Sequence, residues 1–273
     1  MIRHEMNHSK KCNNLEIIPI FVSNDIKKED DISEIIIESS HLQNISLMDN
    51  DIVIIAQKII SKAEGEIVDL DNITPSDNAI KIALTNKKDP RLVELIISQS
   101  KSLLKFERGI IIAETKHGFI CTNAGIDGSN VDIESNHVLL LPENPDLSAN
   151  SIRLKIKAKT NKDVAIIISD TFGRPFRNGQ VNMAIGVSGM DPIKNYIGKK
   201  DMYGNILRVT KIAVADEIAS AAEIVMGKSN RVPVAILRGY KFRRTSGSIS
   251  KILRSKENDL FRSDETILQK SCL

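Results

Sequence analysis

The residues of this chain best suited to chemistry follow an apolar run. Val164-Ala-Ile-Ile-Ile-Ser169 is continuous and β-branched, and Asp170, Thr171, Gly173, Arg174 and Arg177 come directly after it. The run fits a strand buried on both faces. In open α/β sheets, ligands collect beyond the carboxyl ends of strands, and a carboxylate and a hydroxyl beside Arg-x-x-Arg suit a metal ion and phosphate oxygens. A structural ion pair between Asp170 and Arg174 at a loop entrance explains the same residues about equally well.

Two earlier stretches have the same form. Asp51-Ile-Val-Ile-Ile-Ala56 runs into Gln57, Lys58, Ser61 and Lys62. Lysines are seldom buried without a partner, so these two either reach the surface on their long stems, the reading local sequence favours, or face an anion such as a triphosphate. Gly109-Ile-Ile-Ile-Ala113 precedes a polar segment, Glu114 to Asn130, rich in small residues and oxygen ligands. There Gly118, Gly125 and Gly128 permit tight bends, and Asp127 and Asn130 could serve a hard cation or a nucleotide. An Asp-Gly turn with Asn130 bonded to its own backbone is the plainer alternative. His117 has no second His or Cys at ligand spacing and reads as a hydrogen-bonding residue.

The bulk composition narrows the class. The 273 residues, 41% of them hydrophobic, can bury one large or two small cores, and a net charge of +3 does not suggest a nucleic-acid binder. Cys12, Cys121 and Cys272 are odd in number and lack Cys-x-x-Cys spacing, which fits a reducing cytoplasm better than a disulfide or zinc framework. No apolar run approaches a membrane span, and the N-terminus lacks the apolar core of a signal peptide. The domain division reads as a polar extension over 1–14, a core over 15–262 and a tail over 263–273.

The positioning elements alternate strands and helices. Leu15–Val22 predicts an entry strand, and Asp31 to Glu34 a capped helix start. Thr74-Pro75-Ser76 and Asp89-Pro90 each predict a helix, the second with Leu92, Leu95, Ile96, Leu103 and Leu104 as its apolar stripe. Val138–Leu141 predicts a strand, followed by a helix to about Lys159 capped by Asp146 or Ser148. Gly179–Met190 predicts a strand approached closely by ligand or backbone, and Lys194–Gly204 a loop whose size suits a flap. Thr210–Gly227 predicts a helix whose Asp216, Glu217 and Glu223 either form a solvated face, the favoured reading, or contribute carboxylates to the site; Val232–Gly239 predicts a strand, and Ser250–Arg262 a final surface helix with Ile252, Leu253 and Leu260. The class is α/β, or α+β mixed, and not a P-loop or Rossmann fold, since neither Gly-x-x-x-x-Gly-Lys-Ser/Thr nor Gly-x-Gly-x-x-Gly occurs. No Gly-x-Ser-x-Gly elbow supports a serine hydrolase.

Seven ordered blocks join these stretches: Ala56–Gly65, Lys88–Glu94, Glu114–Gly118, Asn123–Asp127 with Ser129-Asn130, Ser169–Pro175, Gly179–Val181 and Val225–Lys228. Together they resemble the coenzyme F420-0 gamma-glutamyl ligase family, from about Ile18 to Arg262. The resemblance implies a family-specific two-domain fold, an intertwined homodimer and a cytoplasmic enzyme. It also implies GTP-dependent joining of L-glutamate to the lactyl carboxylate of the deazaflavin precursor F420-0, followed by gamma-linked addition. Two divalent ions, Mg2+ or Mn2+, and a monovalent cation are the implied cofactors.

Carried over by motif, Asp127 and Asp170 hold the first metal, and Thr171 with Gly227 and Lys228 lies by the second metal or the guanine nucleotide. Lys58, Lys62 and Asn130 bind nucleotide, and Asp170 and Arg174 are the catalytic expectations. The residue after Gly227 is a carboxylate, amide or lysine among relatives, and a charged Lys228 cannot ligate a metal. Ile20–Glu29 lacks an expected second proline in a nucleotide-contacting loop. The flavin-reductase-like domain fused to some bacterial relatives is expected to be absent.

The chemistry is coherent with these residues. Amide synthesis from a carboxylate needs a leaving group, and phosphoryl transfer from GTP would supply one as an acyl phosphate, without a protein nucleophile. Cations with Lys62, Arg174 and Arg177 would offset the triphosphate charge. Two other readings remain: a relative acting on a different carboxylate acceptor, and a nucleotide-binding regulatory protein without turnover.

Overall fold

The computed structural model describes residues 14–128 and 136–259. The elements in chain order are β1 (Glu16–Ile20), α1 (Ile32–Leu42), β2 (Ile52–Ala56), α2 (Gln57–Glu64), β3 (Ile67–Asp69), α3 (Asp77–Asn86), α4 (Pro90–Gln99), β4 (Ser100–Glu107), β5 (Ile110–Thr115), β6 (Ile120–Thr122) and β7 (His137–Leu139). They continue with α5 (Pro145–Thr160), β8 (Ala165–Arg174), β9 (Arg177–Ser188), β10 (Lys194–Asn195), β11 (Lys211–Ile212), α6 (Val214–Met226) and β12 (Val234–Arg238). The fold is mixed α/β, as the alternation of patterns predicts.

A five-stranded sheet in the order β1-β12-β2-β8-β9 forms the larger part. Its one parallel pair is β2 with β8, registered from Ile52 opposite Ala165 to Ala56 opposite Ser169. Consecutive residues Ile52–Ile55 and Ala165–Ile168 are all buried, so both faces of these strands are covered. That is why the sequence shows apolar runs here and not an alternation. Helix α6 packs on the sheet, and α5 packs on β8, β9 and α1.

A second hydrophobic cluster is built from Ile82, Val93, Ile96, Leu103, Ile111 and neighbours around α3, α4 and the antiparallel sheet β4-β5-β6. Buried polar groups tie it to the larger part. Gln57 Nε2 and Ser61 Oγ of α2 both donate to the Leu140 carbonyl just after β7, at 2.9 and 2.6 Å.

Several expectations are corrected by the structure. Helix α4 stops at Gln99, and Leu103 and Leu104 lie in β4; their spacing fits both periods, and pairing with β5 decides it. Ser76, not Thr74, caps α3, so Pro75 precedes the cap. Asn144 caps α5, its side-chain oxygen accepting from the Leu147 amide at 3.1 Å. Asp146 instead accepts from the amides of Val187 and Ile249, holding β9 and the C-terminal segment together. Ile249–Lys251 and Lys256–Asn258 form single 3-10 turns where a surface helix is predicted, and Leu260 lies outside the described residues.

One buried charge anchors the sheet edge of β2. Asp51, 1% exposed, binds Arg238 of β12 in bidentate fashion at 2.7 and 2.9 Å and accepts from the Met48 amide. Removing one partner of such a pair leaves an uncompensated charge, so Asp51→Ala is expected to cost about 3 kcal/mol in urea unfolding. A loss under about 1 kcal/mol would show that the pair is dispensable.

Candidate functional site

The parallel pair creates the site by ending both strands at the same level. β2 passes without a loop into α2, so Lys58 and Lys62 stand one helical turn apart just beyond its last residue. Asp170 follows Ser169, the partner of Ala56, and is thereby brought to the start of α2. Contrary to the sequence reading, β8 does not end at Asp170. It runs on to Arg174 and turns into β9, so Asp170 and Thr171 lie within a long hairpin.

The ladder explains how a strand interior can present these groups. The β8–β9 register shifts between Ile168 opposite Gly186 and Ser169 opposite Ala184, an extra residue that re-aims the strand next to Asp170. Asp216 of α6 satisfies the bulged strand by accepting from the Ala184 amide at 3.0 Å. Burial pushes the Asp216 carboxyl above its usual range. Asp216 is therefore a structural acceptor, not part of a solvated face.

Asp127 arrives from the other part of the molecule. Its backbone exchanges hydrogen bonds with Leu139 of β7 at 3.0 and 2.8 Å. Before it, Asn123, Ala124 and Gly125 all take left-handed backbone angles, with φ of 52, 54 and 75°. At Gly125 a Cβ would come within 2.8 Å of the Leu141 side chain, so the turn needs glycine there. The Asp127 carboxylate meets Lys58 Nζ at 2.9 Å. Lys58 thus faces an anionic group, and the snorkelling alternative does not describe it.

Thr171 belongs to a second polar cluster. Its hydroxyl donates to Asn182 Oδ1 at 2.8 Å across the hairpin and accepts from Lys228 Nζ at 2.5 Å. Asn182 is buried and donates to Glu223 of α6 at 3.0 Å, and Glu223 pairs with Lys228 at 3.3 Å. Gly227, at φ 58°, closes α6 and positions Lys228.

Electrostatics single out Asp170. Burial, then the nearby Asp127 carboxylate, push it up to about 6 against the Thr171 amide, Lys58 and Lys228, which pull it down. The same burial, with Asp170 close by, pushes the Cys121 thiol up to about 12, so Cys121 is no thiolate nucleophile at neutral pH. A carboxylate whose ionisation is made costly by a second one beside it fits a hard cation between the two, with further oxygens from a phosphate ligand or water. No group of three or more His, Cys, Asp or Glu side chains gathers at metal-binding spacing among the described residues.

Of the residues singled out from sequence, the structure gathers Lys58, Asp127, Asp170, Thr171, Gly227 and Lys228, with Lys62 one turn along α2. Arg174 is not brought to the cluster. It lies near the hairpin tip, about 13 Å along β8, and donates to the Asn178 carbonyl at 3.0 Å. Asn130 lies outside the described residues. His117 bonds the Pro142 carbonyl at 2.9 Å and stacks on Phe119, as a hydrogen-bonding residue should. The sequence reading does not single out Asn182, and for Glu223 it favours a solvated face over the site. The spacing of Asp216, Ser220 and Glu223, all on one face of α6 and all bonded to β9, is the signal that could have found them.

Residues 22–239 match the family model described as F420-0:Gamma-glutamyl ligase. A coenzyme F420:L-glutamate ligase of Methanothermobacter thermautotrophicus is 45% identical over 236 residues, covering 85% of this chain and 93% of the relative. That of Methanocaldococcus jannaschii is 45% identical over 215 residues, 78% of this chain and 85% of the relative. That of Methanopyrus kandleri is 40% identical over 253 residues, 91% and 98% of the two chains. The class is therefore that of ligases forming carbon–nitrogen bonds. The chain belongs to the F420-0:gamma-glutamyl ligase family.

Asp170 also makes a stability prediction. Its folded-state value near 6 lies above the ordinary 3.8, so the metal-free fold loses stability as pH rises through that window and stays weakened above it. Asp170→Asn removes the penalty and keeps the acceptor for the Thr171 amide. The metal-free variant is expected to be more stable than wild type at pH 7 by about 3 kcal/mol, and nearly equal to it near pH 4, in urea unfolding. A variant less stable at pH 7 would contradict this.

Proposed function

We propose that this enzyme ligates L-glutamate to coenzyme F420-0 with GTP as phosphoryl donor, passing through an acyl phosphate, and adds further glutamate by gamma-linkage. The observation that carries the reading is the meeting of Asp127 and Asp170, from separate parts of the chain, beside the lysines of α2. The names of the relatives supply the substrates. Phosphoryl transfer asks a protein mainly for positioning and charge compensation, and the cluster is made of groups for that task.

Lys58 and Lys62 would hold the triphosphate oxygens, replacing for Lys58 its contact with Asp127. Asp127 and Asp170 would hold a divalent ion, Mg2+ or Mn2+, which on binding offsets the charge of the transferring group. Thr171 lies beside the same nucleotide, and Gly227 keeps Lys228 in place next to it. Arg174 and Arg177 are too far along the hairpin to share that role and are assigned to anionic groups outside the cluster. A homodimer working in the cytoplasm completes the proposal. Among the described residues no helix is long and apolar enough to cross a membrane.

Mass spectrometry after incubation with GTP, Mn2+, L-glutamate and F420-0 tests the activity. A glutamyl increment in the acceptor is expected, and Asp127→Asn and Asp170→Asn are each expected to lower the rate at least about 100-fold while staying folded. No increment with F420-0, despite nucleotide binding, would favour a non-catalytic nucleotide-binding protein, and wild-type rates in either variant would refute the metal assignment.

A further inference from the structure

We infer that the Lys228 ammonium takes the place of a second divalent ion, so that this site works with a single one. The inference rests on the metal and nucleotide reading proposed above, and departs from the two ions that the family resemblance implies. Lys228 Nζ lies 2.5 Å from Thr171 Oγ1, 3.2 Å from Asn182 Oδ1 and 3.3 Å from Glu223 Oε1. A hydroxyl, an amide oxygen and a carboxylate are donors that suit a hard cation, and here all three contact one tethered positive charge, the ammonium of a side chain 59% exposed. An ammonium has no lone pair to ligate a metal, and a second cation among the same oxygens would meet direct repulsion. The Asp127 and Asp170 pair fits an ion; the Thr171 side of the site, already holding a cation, does not.

Three further observations fix Lys228 in that role. The cradle is wired independently of it: Thr171 donates to Asn182 at 2.8 Å, Asn182 donates to Glu223 at 3.0 Å, and Ser220 donates to the Asn182 carbonyl at 2.8 Å. Gly227, with φ 58 and ψ −166°, turns the chain back over the last turn of α6, its amide bonded to the Glu223 carbonyl at 3.0 Å. The carboxyl end of a helix carries partial negative charge and favours a cation there.

Counting bound Mn2+ tests this without reference to turnover. The full chain is saturated with a non-hydrolysable GTP analogue and titrated with Mn2+, read by equilibrium dialysis and by electron paramagnetic resonance. Wild type is expected to bind one ion per chain, with the resolved hyperfine pattern of an isolated ion. Lys228→Glu, which supplies a carboxylate, is expected to bind a second, spin-coupled ion at least about tenfold more tightly than wild type does. Lys228→Met, which removes the charge without adding a ligand, should bind it more weakly than Lys228→Glu and carries the test should that variant not fold. Two ions in wild type would overturn the inference and leave the metal reading standing. One ion in wild type and in every folded variant would also overturn it. No ion in any of them would overturn the metal reading, and this inference with it.

Discussion

The parallel pairing of β2 with β8 is the constraint on which the site depends. Antiparallel neighbours would send these two apolar runs to opposite edges of the sheet. Because they run side by side in one direction, Ala56 lies opposite Ser169, and the groups after each arrive together: lysines from one strand, a carboxylate from the other. Burial on both faces specifies the pairing, since Ile52–Ile55 and Ala165–Ile168 bury consecutive side chains and a slip would strand apolar groups at the sheet ends. The energy that holds the site is therefore hydrophobic, although every residue within it is polar.

Around that pair, the molecule solves a sequence of local problems with polar groups. An extra residue in β9, Ile185, bends that strand beside Asp170, and Asp216 of α6 accepts from the adjoining Ala184 amide. Three successive left-handed residues bring Asp127 back toward α2, at a conformational cost that Asn123 and Gly125 tolerate better than Ala124. Burial of Asp170 against another carboxylate is unfavourable in the metal-free protein. Such local penalties are expected where binding a cation and an anionic nucleotide supplies the compensation.

Much of this was legible in the sequence, for identifiable reasons. Continuous β-branched runs revealed the buried strands, and Asp31 and Asp89 marked helix starts by capping chemistry that is purely local. The polar residues after each run marked the site. What remained hidden depends on pairing across long distances. Nothing local distinguishes a strand that stops at Asp170 from one that continues into a hairpin, and the helix-like spacing of the apolar residues from Leu92 to Leu104 fits a helix until pairing with β5 claims its second half. Glu223 looked solvated because its partner, Asn182, lies on another element and carries no charge. Lys58 looked like a surface lysine for the same reason: Asp127 lies far away in sequence.

On the reading proposed above, Asp127 and Asp170 jointly hold a divalent ion beside the lysines of α2. Anomalous diffraction from crystals of the full chain grown with Mn2+ and a non-hydrolysable GTP analogue addresses it most directly. A manganese peak is expected between the two carboxylates, within ligand distance of both, with Lys58 Nζ moved from Asp127 to a phosphate oxygen. A manganese ion bound elsewhere, with the Lys58–Asp127 pair intact, would contradict it.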